Sequence, residues 1–209
     1  MLKKIVLFAS VATFALASNA QLGSLGGLGS ALGSGSGPTP EKLLAEYFVG
    51  TAAVLNAQAK LLNAVGLKDQ ADLAASNAAN MKEGATADSI KQAEVVQTEN
   101  SQLIQAKLAD ASLKLDDSAK KQVGEGYASL AVGTVSYIVF IKDAKNFKPK
   151  PTSMGSAAVV LATIIPKMPQ DTKNLVNTYN AVGAYAKTNK IPAPKDDPTA
   201  DPSLKALLG

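Results

Sequence analysis

Ala128-Ser-Leu-Ala-Val-Gly-Thr-Val-Ser-Tyr-Ile-Val-Phe-Ile141 is a run of fourteen residues without a charge, and its conformation decides the fold. It is rich in β-branched residues (Val132, Thr134, Val135, Ile138, Val139, Ile141), and periodicity alone does not separate a buried strand from a buried helix. Its flanks favour the helix. Asp116-Asp117-Ser118 places acids where a helix dipole is positive, and no turn signal interrupts the chain from there towards Asn146. Fourteen residues fall short of the ~20 needed to span a bilayer. The stretch therefore reads as the centre of a buried core helix.

Proline placement extends the argument to the rest of the chain. From Glu41 to Lys148 there is no proline; the ten prolines lie at 38, 40, 149, 151, 166, 169 and in the tail. Proline inside a helix costs ~3 kcal/mol, so this distribution is what a series of long helices requires. Thr39-Pro40-Glu41 opens the first, predicted over 40–65, with a cap, a first-turn proline and a first-turn acid. Leu44, Phe48, Thr51, Leu55, Gln58, Leu62 and Val65 step along one face of it, and a neighbouring stripe through Tyr47, Val54 and Leu61 is apolar too. A helix this apolar on most sides packs against two or more others. Gly66 ends it.

A second, alanine-rich helix is predicted over 69–83 and a third over 88–114. The centre of the third, Gln97-Thr-Glu-Asn-Ser-Gln102, is wholly polar; it reads as a solvated face, the alternative being a buried polar layer that sets register. The fourth runs from about Asp116 to Asn146. The fifth, over 153–165, is apolar all round, and the sixth, over 170–188, carries Leu175, Val176, Tyr179, Val182 and Tyr185 on one face.

Outside this block the chain changes character. Met1 to Ala20 reads as a secretory signal peptide: Lys3 and Lys4, the apolar run Ile5–Ala17, then Ser18-Asn19-Ala20 at the cleavage point. A retained anchor is the alternative, and without cysteine the chain is not a lipoprotein. Residues 21–40 hold seven glycines, the composition of a flexible tether, although Leu22, Leu25, Leu28 and Leu32 keep helical spacing. From Ile191 onwards four prolines in nineteen residues predict an extended tail. The expected fold is thus all-α: a single bundle of five to six helices over 40–190, preceded by a signal peptide (1–20) and a Gly/Ser/Leu-rich linker (21–39) and followed by a Pro-rich extended tail (191–209).

Composition narrows the chemistry. In 209 residues there is no Cys, His or Trp, and all 21 basic residues are lysine. That leaves no disulfide, thiol nucleophile or imidazole base, and no zinc or haem site of the usual kinds. It also leaves no guanidinium clamp for phosphate or guanine. Without residues 1–20 there are 19 lysines against 17 acids, a poor balance for nucleic acid. Ser118-Ala-Lys-Lys121 matches the S-x-x-K pattern of penicillin-recognising enzymes, but Lys187-Thr188-Asn189 fails their second requirement at its glycine, and Ser118 reads as a helix-start residue. Asp116/Asp117 and Asp196/Asp197/Asp201 are adjacent acids, not a pair held across a cleft.

Two sets of residues remain as candidate contacts. Tyr127, Tyr137, Phe140, Tyr179 and Tyr185 would line an apolar groove, or else sit in the core with hydroxyls at its rim. Lys142, Lys145, Lys148 and Lys150 would meet an anionic surface between the two most apolar segments, or else form a solvated corner. The function expected is that of an exported (periplasmic or secreted) non-enzymatic helical protein, acting by binding or as a cell-envelope component. The alternatives are a membrane-interacting protein inserting 128–141 and 153–165, and a carrier of an apolar ligand in the bundle core. No catalytic residue, metal or cofactor is expected, and the partners expected are an envelope protein or a lipid, not nucleic acid.

Overall fold

The computed structural model describes residues 38–147, 155–202 and 204. The signal peptide at 1–20 and nearly all of the linker at 21–39 lie outside the described residues, as do Lys148 and Lys150. Among the described residues there are six α-helices and no strand: α1 (Pro40–Ala64), α2 (Lys68–Asn80), α3 (Ala87–Ala109), α4 (Asp117–Lys145), α5 (Ser156–Ile164) and α6 (Met168–Thr188). The run 128–141 is helical throughout, at the centre of α4. Thr134, Ile138 and Ile141 are buried against its neighbours, and that packing overrides a weak preference for strand.

Local chemistry sets the ends. Thr39 Oγ1 accepts from the Lys42 amide at 3.3 Å, Thr86 Oγ1 from Ser89 at 3.1 Å, and Asp116 Oδ1 from Ala119 at 2.7 Å, satisfying donors that the first turns of α1, α3 and α4 leave free. Past α1, Gly66 takes φ +81° and the Leu67 amide returns to the Leu62 carbonyl at 2.9 Å. The same closure ends α6, but there Lys190 occupies the left-handed position at φ 57°, with the Ile191 amide on the Ala186 carbonyl at 2.8 Å. α3 stops at Ala109, short of the predicted 114, because Asp110 turns to accept from the amide and hydroxyl of Ser112 at 2.8 and 2.6 Å.

α1, α3, α6 and α4 form a ring in which each packs on its two neighbours; α2 covers α1 and α3, and α5 lies on α1. Side-chain bonds give the directions. Glu94 meets Lys167 and Gln105 meets Thr178 at one constant offset, so α3 and α6 run parallel. Tyr47 meets Glu94 and Gln58 meets Ser101, so α1 runs with α3. α4 runs against α1. Tyr47 packs on Phe140, Gly50 on Tyr137, Val54 on Gly133 and Leu61 on Gly126, each step down α1 matched by an equal step up α4.

This α1–α4 seam is the most extensive helix–helix contact in the bundle. A Cβ on Gly133 would lie 2.6 Å from Val54 Cγ2 and 3.1 Å from the Val54 amide nitrogen; one on Gly126 would lie 2.8 Å from Leu61 Cγ. The two glycines, seven residues apart, receive two side chains also seven apart, and burying each is worth about 1.5–3 kcal/mol.

The polar centre of α3 corrects the solvated-face expectation. Gln97, Asn100 and Ser101 are 7%, 2% and 2% exposed. Gln58 Nε2 donates to the Gln97 carbonyl at 2.8 Å and to Ser101 Oγ at 3.0 Å. The Tyr137 hydroxyl donates to Gln97 Oε1 at 2.9 Å and shares a 3.0 Å bond with Thr51. Helical phase explains the burial: Ile90, Ala93, Gln97, Asn100 and Ile104 step by three and four along one face. The result is the alternative, a polar layer joining α1, α3 and α4 across the ring.

Beyond Ile191 the chain has no further long helix among the described residues, yet it does not leave the bundle. Ile191 is buried, Pro198–Ala200 forms a single 3-10 turn against α4, and Leu204 is buried with Ile138 and Val176.

Candidate functional site

The aromatic residues singled out from sequence divide into two groups. Tyr137 and Phe140 do not line a groove. Both are buried in the core beside Tyr47, with ring centroids 6.3 and 5.7 Å from its ring. Burial pushes the Tyr137 hydroxyl above the usual tyrosine pKa, against the pull of its Thr51 and Gln97 bonds. Tyr185 is buried on α6, and its hydroxyl has no hydrogen-bond partner among the described residues.

Tyr127 and Tyr179 meet elsewhere. Their rings are 4.8 Å apart between α4 and α6, at the bottom of an open cleft of about 470 Å³ that the returning tail closes on one side. Gly183 makes this possible, since a Cβ there would lie 2.5 Å from the Tyr127 hydroxyl. Gly183, Ala186, Ile191 and Ala193 supply apolar wall; Asn180, Lys187, Asp197 and Thr199 supply polar groups.

Asp197 is held in place, its Oδ1 accepting from the Thr199 amide at 2.9 Å and hydroxyl at 2.7 Å. These bonds, with the nearby Tyr179 hydroxyl, keep its carboxyl below the usual range and therefore ionised. The Tyr179 hydroxyl is driven the other way, by burial first and then by Tyr127 and Asp197.

A second polar cluster joins α1, α3 and α6. Tyr47 donates to Glu94 Oε1 at 3.3 Å, and Lys167 donates to Glu94 Oε2 at 2.8 Å. Asp171, one turn along α6, is pushed up to about 6 by partial burial and by Glu94, against Lys167. The sequence reading did not find this cluster. Its members are ordinary surface residue types, and only the parallel α3–α6 pairing brings them together.

The lysine corner is partly described. Lys142 pairs with Asp201 at 3.1 Å, and Lys145 is exposed in the last turn of α4. Next to them α4 shows Val135 and Val139 to solvent, 41% and 44% exposed. α4 is long and apolar enough to cross a membrane by length and composition, but 56% of its most apolar window is buried in the bundle. Ser118 and Lys121 are exposed at the start of α4, while Asp116 serves as its cap. Among the described residues no three acids cluster so as to hold a metal.

The chain matches no protein-family model, no curated protein and no solved structure.

Proposed function

We propose that the protein is an exported, non-enzymatic binding protein of the periplasm or extracellular space, and that the Tyr127–Tyr179 cleft is its binding site. The cleft carries this reading. Three separate chain segments meet there, and apolar and polar side chains share its open lining, so a ligand could find both contact area and orienting groups. The absence of His and Cys from the chain, and the use of Asp116 and Asp197 as caps, support binding over catalysis.

Native mass spectrometry tests the site. Protein incubated with a low-molecular-weight envelope extract should retain a bound species, and Ala193→Trp, which fills the cleft from its open side, should not. Identical spectra for the two would refute the reading. Export has its own check: the mature protein should begin at Gln21, and an intact Met1 in the cell-surface or medium fraction would contradict cleavage.

A second reading, docking on an anionic bilayer, is favoured by one observation. The exposed Val135 and Val139 lie on the same side of α4 as Lys142 at its basic end. Flotation with phosphatidylglycerol vesicles should then carry the protein upward and Val135→Asp should abolish it; no flotation of the parent protein removes this reading.

A further inference from the structure

Resting on the cleft as a binding site, we propose that it takes a zwitterion with an apolar stem: a free amino acid or a short peptide with both termini unblocked. One cation, Lys187, and one anion, Asp197, line the same cleft, and among the described residues no ion pair joins them. Lys187 comes from the last turn of α6 and Asp197 from the tail that folds back over it. Ala186, Ala193 and Ile191 add small and apolar side chains to the same lining.

Both groups reach solvent, and a ligand with one charge engages only one of them, a neutral sugar neither as an ion pair. A phosphorylated ligand calls for several cations, and among the described residues the cleft has one. A molecule with a carboxylate at one end and an ammonium at the other satisfies both ends at once. Asn180 remains for a peptide amide of the ligand. A volume of about 470 Å³ lies in the small-molecule range. Thr199 holds Asp197 in its ionised form before any ligand arrives, so little ordering is needed on binding.

The test is a titration of ¹⁵N-labelled protein with L-Ala-L-Leu, with N-acetyl-Ala-Leu and with Ala-Leu-amide, following the amides of Gly183 and Thr199. The free dipeptide should shift both, and each blocked form should bind at least tenfold more weakly. Lys187→Gln should erase the preference over the amide, and Asp197→Asn, which keeps the turn capped, the preference over the acetylated form. Equal affinity for blocked and free dipeptides overturns the proposal, and so does a free dipeptide that shifts neither amide. Glucose and decanoate titrated in parallel separate the two levels of the argument. If either moves these amides and the dipeptide does not, the zwitterion is wrong and the cleft remains a binding site. If none of the probes moves them, both fall.

Discussion

Gly133→Ala tests the α1–α4 seam directly. The added methyl would sit 2.6 Å from Val54 Cγ2, and also 3.1 and 3.3 Å from the Val54 backbone nitrogen and Cα, so rotating the valine does not relieve the contact. The helices must separate along the whole seam. Overpacking of a tight core costs about 1–3 kcal/mol, here near the upper end because backbone is involved. Alanine recovers roughly 1 kcal/mol of helix propensity in the interior of α4. The net expectation is a loss of about 1–2 kcal/mol. With a urea m-value near ~2 kcal/mol/M this moves the midpoint down by roughly 0.5–1 M in equilibrium unfolding followed by circular dichroism. Gly124→Ala is the matched control. Its methyl meets only Ile191 Cγ2, at 3.2 Å, with no backbone in the way, so any loss should be clearly smaller than for Gly133→Ala. Combining Gly133→Ala with Val54→Ala should cost less than the sum of the single changes by about 1 kcal/mol, since truncating Val54 makes room for the added methyl, which in turn fills part of the space Val54 leaves. A Gly133→Ala protein as stable as its parent, or a double mutant that is strictly additive, would refute the seam.

Other perturbations bear on separate features. Asp171 holds its proton more tightly folded (pKa about 6) than unfolded (roughly 3.9), so its stabilising share is full at low pH and is lost as pH rises between those values. Asp171→Asn should therefore flatten stability between pH 4 and 7 and gain about 1 kcal/mol at pH 7.5, a figure reduced for solvent screening; urea curves at both ends of the range check it. Lys190→Gly relieves a left-handed lysine at φ 57° and should add about 0.5–1 kcal/mol, read as a higher Tm. Tyr137→Phe leaves Gln97 Oε1 without its donor inside the core and should cost about 1–3 kcal/mol, with faster hydrogen exchange in the middle of α3.

Much of the architecture was legible because helix ends are local events. Thr39, Thr86, Asp116 and Gly66 act through atoms within a few residues of themselves, and they mark the starts of α1, α3 and α4 and the end of α1 within a residue or two. The polar layer was legible in principle. Gln97 and Asn100 lie in phase with Ile90 and Ile104, but reading 97–102 by composition hid that phase. The glycine seam leaves a fainter trace, two glycines seven apart whose meaning depends on Val54 and Leu61 some seventy residues earlier. The cleft was half visible. Tyr127 and Tyr179 stand out as aromatics in an aromatic-poor chain, whereas Asp197 and Lys187 become part of a site only when the tail turns back, which its prolines do not announce.

The pairing of α1 with α4 also bears on how the chain is made. Thr51 and Tyr137, bonded across the polar layer, are separated by 86 residues, and α2 and α3 are synthesised in between. An emerging chain therefore carries α1 with its longest apolar face uncovered until α4 has left the ribosome, a long interval for so sticky a surface. Until then that face is open to contacts with other chains, so the tendency to aggregate is greatest before α4 is available.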